Sequence, residues 1–283
     1  MGYFAPATVD DALAVLAAGD VVIVAGGTDI FPALGRRAPG GGLLDVTRIA
    51  GLRGIARADA GWRIGAATRW RDVIDAPLPP AFDALKQAGR EVGSVQIQNA
   101  GTVAGNICNA SPAADGVPPL LALDAVVEIA SLKGPRRVPL ASFITGVRRV
   151  DLRPGEIVTA LHVPEVSGAS HSHFVKLGSR RYLVISIAMV AVLLRLEQGL
   201  IAEARVAVGA CAPVALRLTA LEAALCGVDP ARMRAPELFS AAQLAPLRPI
   251  DDVRASAAYR QEAAAELCRR AVMAAAAKAA AHG

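Results

Sequence analysis

The segment of residues 101–124 constrains the fold most strongly, because it crowds small residues, Asn and Ser into a predicted loop between two apolar stretches. We call it the small-residue segment. Side chains this small let a ligand approach bare backbone N–H groups, which suits a bound phosphate or ring edge. A related design occurs earlier, in the glycine turn of residues 24–31, where an apolar strand enters Gly26-Gly27. Two such segments predict one large, extended ligand that contains a polyphosphate.

Composition and charge exclude several classes of protein. With 283 residues, 54% of them hydrophobic, the chain is long enough for a core and two or three subdomains. The longest apolar run, residues 183–194, is interrupted only by Ser186 and is too short to span a bilayer. The amino terminus has no basic segment followed by an apolar one, so we expect no export signal and a cytoplasmic location. The net charge of +5 comes without a basic block longer than two residues, which gives a nucleic-acid role little support.

The cysteines and histidines do not predict a metal site. The four cysteines are far apart and form no C-x-x-C pair: Cys108, Cys211, Cys226 and Cys268. Neither a zinc knuckle nor an iron–sulfur cluster is expected in this chain. We expect the cysteines to be reduced, mostly buried thiols. His171 and His173 could face one side of a strand, but no third ligand lies nearby.

Periodicity and turn residues predict three units, with boundaries near residues 56 and 166. Predicted strands cover residues 21–25, 43–46, 63–66, 125–130, 157–163, 174–177, 186–196 and 204–208. Predicted helices follow the cap at Thr8, begin at Thr28, and cover residues 69–74, 82–88, 118–123, 217–225 and 259–281. The units are therefore residues 1–56, 57–166 and 167–283.

Each of the two segments also has an ordinary explanation. N–H groups of the glycine turn could hold a pyrophosphate at a helix start, but a tight turn capped by Thr28 is at least as well supported. Residues 29–32 stand where the G-x-G-x-x-G fingerprint of a simple dinucleotide site would need further glycines, so that fingerprint is absent. In the small-residue segment, Asn106 and Asn109 could adopt left-handed turns, and Asp115 could cap a helix that starts near Gly116.

The two segments together, in this order and spacing, resemble the FAD-binding subunit of molybdenum hydroxylases of the xanthine dehydrogenase and carbon monoxide dehydrogenase type. Neither segment alone would be specific. The resemblance extends over nearly the whole chain, through residues 4–6, 25–29, 44–46, 102–106, 110–115, 155–158, 176–181 and 217–222.

The resemblance implies an α+β fold, in which two α/β FAD-binding subdomains of the PCMH type precede a C-terminal α+β domain with a three-stranded sheet and helices. It implies cofactor contacts by Val24, Ala25, Gly26, Gly27, Thr28, Asp29, Ile30, Phe31, Thr102, Val103, Ala104, Gly105, Asn106, Asp115, Ile157, Val158 and Lys176. Residues 24–31 and 102–106 would bind the pyrophosphate and neighbouring groups, and Asp115 would hydrogen-bond the cofactor. Ile157 or Val158 would pack against the flavin, and Lys176 would approach the isoalloxazine ring, where a cation stabilises negative charge. Without the resemblance, Lys176 is interpreted as a surface strand residue.

The implied function is that of an electron-transfer subunit with one noncovalent FAD and no essential catalytic side chain. A large partner subunit would hydroxylate substrate at a molybdopterin cofactor, and a small partner subunit would carry two [2Fe-2S] clusters. Electrons would pass through those clusters to the flavin of this chain, and from there to an external acceptor: NAD, a quinone, a cytochrome or O2. The chain would be an oxidoreductase only within this heterotrimeric complex.

The sequence departs from the family pattern at two places. Ala104-Gly105 replaces a pair of glycines, and the added methyl group shifts the backbone slightly without abolishing binding. Tyr182 and two apolar residues follow the Arg180-Arg181 pair, where NAD-dependent xanthine dehydrogenases often carry acidic residues, which argues against NAD. Tyr182 either covers the flavin or is a strand-edge aromatic residue.

Two other functions stay open at this point. The first is an assembly protein that kept the fold and lost the flavin, for which Ala104 is the only supporting feature. The second is a stand-alone FAD oxidase, which needs a substrate cavity over the flavin for which the sequence offers no convincing residues. The substrate of the complex is not encoded here, because selectivity would belong to the large subunit.

Overall fold

Three β-sheets follow one another along the described part of the chain in the computed structural model, with three, five and four strands respectively. The structure describes residues 2–37, 39–58, 60–166, 169–230 and 236–282. A separate two-stranded hairpin belongs to the middle part of the chain.

The first sheet is parallel, in the order β1-β3-β2. The first part of the chain contains its strands and two helices: β1 (Tyr3–Phe4), α1 (Val9–Ala18), β2 (Val21–Val24), α2 (Ile30–Leu34) and β3 (Gly42–Asp45). The Thr8 hydroxyl accepts a hydrogen bond from the Asp11 backbone N–H at 3.1 Å, which is the predicted helix cap. Helix α2 begins at Ile30 and not at Thr28 as predicted, because the chain first makes a turn in which Gly27 has a φ of 69°.

The second sheet is antiparallel, in the order β4-β5-β10-β6-β7. Its strands are β4 (Ile55–Ala58), β5 (Gly61–Gly65), β6 (Val126–Ala130), β7 (Arg136–Pro139) and β10 (Ile157–Pro164), and the hairpin is β8 (Ile144–Gly146) with β9 (Arg149–Val150). The helices of this part are α3 (Trp70–Asp75), α4 (Asp83–Glu91), α5 (Val95–Ala100), α6 (Val103–Asn109), α7 (Val117–Ala122) and α8 (Leu140–Phe143). Trp70, Phe82 and Phe143 are fully buried and form the centre of the core between these helices and the sheet.

The small-residue segment contains a helix, where the sequence predicted a loop. Thr102 precedes α6, and its hydroxyl accepts from the Gly105 N–H at 3.1 Å. Asn106 and Asn109 are helical, so the left-handed alternative for them is wrong, and Ala110 takes that conformation instead with a φ of 48°. Asp115 does not cap α7, which begins after Gly116 without a side-chain cap.

The third sheet is antiparallel, in the order β11-β12-β13-β14. Its strands are β11 (Ser170–Leu177), β12 (Ala188–Glu197), β13 (Leu200–Gly209) and β14 (Leu216–Arg217). The helices of this part are α9 (Thr219–Leu225) and α10 (Ala257–His282). The predicted three-stranded sheet thus has a fourth, two-residue strand, because Leu216 and Arg217 pair with β13 before the helix begins. No helix in the described ranges is both long and apolar enough to cross a membrane.

Strand β12 is buried on both faces, which explains its nearly continuous apolar sequence. Val190 and Val192 face a core that includes α10. The alternate residues Met189 and Ala191 face α4, where Ala88 is completely buried. The third sheet is therefore enclosed between the long C-terminal helix and the helices of the second part of the chain.

Candidate functional site

A cleft of about 890 Å³ lies where all three parts of the chain meet. Its walls come from the glycine turn, from α6 and the residues that follow it, from the start of β10, and from the end of β11 with residues 183–185. The volume is at the upper end of the range of about 300–1,000 Å³ that is common for ligand and cofactor sites.

The cleft brings together the predicted cofactor contacts with two exceptions. Those that line it are Val24, Ala25, Gly26, Gly27, Thr28, Asp29, Ile30, Thr102, Ala104, Gly105, Asn106, Asp115, Ile157, Val158 and Lys176. Phe31 is half exposed, and its ring lies against Gly27 on the outside of the turn. Val103 is fully buried in the core because it is on the inner face of α6. These two residues therefore do not line the cleft.

Gly26 brings the glycine turn into direct contact with the backbone that connects α5 and α6. A Cβ atom at this position would lie 2.0 Å from the carbonyl oxygen of Ala100 and 2.8 Å from the Cα of Gly101. No side chain fits in that space. The glycine thus has a packing role between the two segments in addition to any role toward a ligand.

The glycine turn has the character of an anion site. The backbone N–H groups of residues 26–29 donate to no acceptor within the described part of the chain, and these residues line the cleft. Consecutive N–H groups in a turn with a positive φ form a concave surface that binds phosphate oxygens. The turn therefore fits a pyrophosphate.

The start of α6 is the second wall of this site. Thr102 is buried, and its hydroxyl caps the helix, while a Cβ atom added at Gly105 would lie 2.8 Å from that hydroxyl oxygen. Ala104, the departure from the family pattern, is 4% exposed and packs in the core cluster of the second part of the chain. Its methyl group is therefore part of the packed interior of the second part of the chain.

A buried ion pair forms another part of the wall. The Lys176 ammonium lies 2.7 Å from one oxygen of Asp115, and the Ser186 hydroxyl donates to the other oxygen at 2.7 Å. The two charged side chains are 7% and 9% exposed, so the interpretation of Lys176 as a surface residue is wrong. Burial raises the pKa of Asp115 above its ordinary value of 3.8, and the ammonium of Lys176 opposes that shift.

Two features of the cleft and its immediate surroundings were not predicted from the sequence. Ser186 did have a signal, since it is the one polar residue that interrupts the apolar run of residues 183–194. Arg148 donates to the carbonyl oxygen and the side chain of Asn109, whose amide donates to Asp29 at 2.7 Å. This connection between the hairpin and the glycine turn depends on a left-handed residue, Arg148 with a φ of 57°, which has no sequence signature.

Cys108 and Tyr182 differ in their surroundings. Cys108 lines the cleft, but burial raises the pKa of its thiol to about 12, so it stays protonated at neutral pH and is a packing residue. Tyr182 is 56% exposed, with the guanidinium of Arg181 over its ring at 5.2 Å.

In the described ranges, no group of three or more His, Cys, Asp or Glu is arranged to hold a metal ion.

Comparison with known proteins agrees with this site. A family model described as the FAD binding domain in molybdopterin dehydrogenase matches residues 1–166, and one described as the CO dehydrogenase flavoprotein C-terminal domain matches residues 173–275. The chain is 34% identical over 266 residues to the xanthine dehydrogenase FAD-binding subunit of Escherichia coli, which covers 91% of this chain and 90% of that protein. It is 33% identical over 270 residues to the 6-hydroxypseudooxynicotine dehydrogenase complex subunit alpha of Paenarthrobacter nicotinovorans, covering 92% and 89% of the two chains.

Solved structures show the same fold. A chain of the carbon monoxide dehydrogenase from Hydrogenophaga pseudoflava, in a form that lacks the Mo-pyranopterin moiety of the molybdenum cofactor, matches with a TM-score of 0.90 and 31% identity. The match covers 98% of this chain and 97% of that one. These matches confirm the predicted α+β class, the family resemblance on which it was based, and FAD as the cofactor. The chain belongs to the family of FAD-binding oxidoreductase subunits of molybdenum-dependent dehydrogenases.

Proposed function

We propose that the chain holds one noncovalent FAD in the cleft and passes electrons from [2Fe-2S] clusters on a partner subunit to an external acceptor. The observation that carries the proposal is the set of unpaired N–H groups at residues 26–29, which lie in one cleft with the buried Lys176–Asp115 pair. This arrangement offers donors for a pyrophosphate and a fixed positive charge for an electron-accepting ring.

The residues of the cleft take different parts in this proposal. The glycine turn and residues 102–106 bind the pyrophosphate, and Thr28 adds a hydroxyl donor. Asp115 hydrogen-bonds the cofactor, and Lys176 places a cation beside the isoalloxazine ring. Ile157 and Val158 give an apolar surface for the ring and exclude water. When bound, FAD supplies the redox chemistry, and the protein supplies its position, its electrostatic environment and access for the acceptor.

The complex belongs to the same proposal. A large subunit with molybdopterin and a small subunit with the clusters would complete a heterotrimer, located in the cytoplasm. The relatives support it, because one is named as the subunit of a dehydrogenase complex and another is part of an enzyme with a molybdenum cofactor. We further propose that residues 1–56, 57–166 and 167–283 are the three domains. The separate sheets support three units, and strand β4 of the second sheet begins two residues before the first boundary, at Ile55.

The acceptor is proposed to be a quinone, a cytochrome or O2 in preference to NAD. The segment after Lys176 presents Arg180, Arg181 and exposed apolar side chains, without the acidic residues typical of NAD-dependent relatives. We also propose that Tyr182 covers the flavin, because its ring is mostly exposed and carries the guanidinium of Arg181 on one face.

An absorbance spectrum of the purified full chain tests the proposal first, followed by release and identification of the chromophore. We expect flavin bands, with FAD released on denaturation, and two partner subunits on purification from the native host. A colourless chain that also fails to bind added FAD would favour the flavin-free assembly protein. A flavin-loaded chain that turns over a small substrate without partners would favour the stand-alone oxidase.

A further inference from the structure

Arg260 is a buried charged residue that none of the roles described above uses. It lies near the start of α10 and is 3% exposed. Its guanidinium donates to the carbonyl oxygens of Ile187 at 2.6 Å and Ala210 at 3.2 Å, and to the carboxylate of Asp252 at 2.7 Å. One side chain of the C-terminal helix therefore connects three separate segments.

The Ile187 peptide is directly adjacent to the ion pair of the cleft. Ile187 follows Ser186, whose hydroxyl donates to Asp115 at 2.7 Å. The N–H of Ile187 donates to the carbonyl of Leu177 at 2.8 Å, and Leu177 follows Lys176. Holding the Ile187 carbonyl thus fixes the backbone next to both residues that contact Asp115.

The Ala210 peptide leads to the same carboxylate from the other side. Ala210 has a φ of 62°, and its N–H donates at 2.9 Å to the carbonyl of Pro112, which lies in the small-residue segment just before Asp115. An alanine rarely adopts this conformation unless its surroundings impose it. The bond from Arg260 to the Ala210 carbonyl helps to impose it.

The chemistry of the side chain fits this role better than simple packing does. Burying a guanidinium is costly, and a well-packed apolar side chain would stabilise α10 at least as well. The cost is not fully compensated here, since the Nε atom of Arg260 is buried without a hydrogen-bond partner in the described part of the chain. Only arginine offers a planar, permanently charged set of donors that can hold two carbonyls and a carboxylate together.

We propose that Arg260 is a positioning residue of the flavin site, which acts through Ser186 and Pro112 to hold Asp115 and Lys176 in place. This inference rests on the proposed function, because the site it positions is the proposed FAD site. It also gives the C-terminal helix a part in cofactor binding, although α10 does not line the cleft.

The test compares Arg260→Met with Arg254→Met in the full chain. Arg254 is a matched control, because it also binds Asp252, at 3.0 Å, but contacts neither carbonyl. For each variant, the dissociation constant for FAD is measured by flavin fluorescence, with the flavin absorption spectrum, the midpoint potential and the melting temperature. We expect Arg260→Met to weaken FAD binding about tenfold or more and to shift the potential, whereas Arg254→Met behaves as the wild type.

Two further variants keep the test decisive. If Arg260→Met does not fold, Arg260→Lys keeps the charge but lacks the planar donor set, and we expect the same direction of change. Ser186→Ala, with Arg260 intact, should change the spectrum in the same way, and the double variant should show less than the sum of the two losses. Wild-type affinity, spectrum and potential in the Arg260 variants would overturn the inference. A wild-type chain that binds no FAD would instead overturn the proposed function, and this inference with it.

Discussion

Gly26 shows how a single residue can join two distant parts of a binding site. The sequence predicted this glycine as a ligand contact, on the grounds that a bare backbone lets a phosphate approach. In the structure its missing side chain is also what lets the glycine turn touch the backbone at Ala100 and Gly101. The relative position of the two segments therefore depends on it.

We predict that Gly26→Ala abolishes stable FAD binding. The added methyl would lie 2.0 Å from the Ala100 oxygen, so the turn must move away from α6 and the two walls of the pyrophosphate site separate. The measurement is the amount of FAD that stays with the protein on gel filtration. Gly19→Ala is the control, because Gly19 has an extended φ of 175° and no atom within 4 Å of the added methyl. Equal FAD retention in both variants would contradict this account of Gly26.

Lys176 leads to a second prediction, since it balances a carboxylate that is otherwise poorly solvated. Removing one partner of a buried ion pair costs about 3–5 kcal/mol, because the other charge stays buried without compensation. In Lys176→Met the pKa of Asp115, already raised by burial, would lose the cation that opposes the shift. A carboxyl with a raised pKa in the folded state stabilises the protein only at low pH and loses this contribution as the pH rises.

We therefore expect the destabilisation of Lys176→Met to be larger at pH 8 than at pH 5. Urea unfolding of the variant and the wild type at both pH values measures it. Lys176→Met combined with Asp115→Asn is the control, because it removes the titrating group, and its destabilisation should not depend on pH in this range. The same loss at both pH values in the single variant would be evidence that Asp115 is not the group responsible.

At the level of elements, the sequence predicted several long segments and also the short helices α3 and α7, but it missed two other short helices. The predicted bounds of β10, β12 and α10 agree with the observed bounds to within a few residues, because the periodicity of these elements extends over many positions. Helices α5 and α6 are six and seven residues long and were missed. Their caps, Ser94 and Thr102, are local signals, but both helices contain residues of low helix propensity, such as Val95 in α5 and Gly105 in α6.

The second sheet carries a charge cluster that was also not predicted. Glu128 on β6 accepts hydrogen bonds from Thr159 at 2.8 Å and from His162 at 2.7 Å, and Arg63 lies 3.4 Å away. Burial by itself would raise the pKa of Glu128, but these partners outweigh it and lower the pKa to about 2. Cross-strand pairs of this kind depend on register, which the spacing of the strands in the sequence does not give.

This cluster makes the sheet sensitive to acid. A carboxyl with a lowered pKa in the folded state stabilises the protein above its ordinary pKa of 4.5 and loses that contribution as the pH falls toward 2. We expect Glu128→Gln to be less stable than the wild type at pH 7 and the difference to shrink between about pH 4.5 and 2. The free energy of unfolding as a function of pH measures it. Glu165→Gln is the control, since its ion pair with Arg57 is exposed and should contribute little at any pH.

For the whole molecule, the cleft is complete only when the third sheet packs against the second part of the chain. Asp115 comes from one side, and Lys176 and Ser186 come from the other. The sequence identified Asp115 and Lys176 through the family resemblance alone. The resemblance did not predict that these two residues contact each other. No local sequence pattern indicates that a lysine at the end of a strand will be buried against a carboxylate 61 positions earlier.

The contact between α4 and the third sheet should therefore control the cleft from a distance. Ala88 is completely buried against Phe174, Met189 and Ala191. In Ala88→Leu the larger side chain has no space, so we expect a loss of about 1–3 kcal/mol in stability and weaker FAD binding, because β11 would move Lys176 away from Asp115. Chemical denaturation and FAD titration measure the two effects. Ala277→Leu on the exposed side of α10 is the control and should change neither. If Ala88→Leu were destabilised but bound FAD as tightly as the wild type, the packing of the third sheet would not set the geometry of the cofactor site.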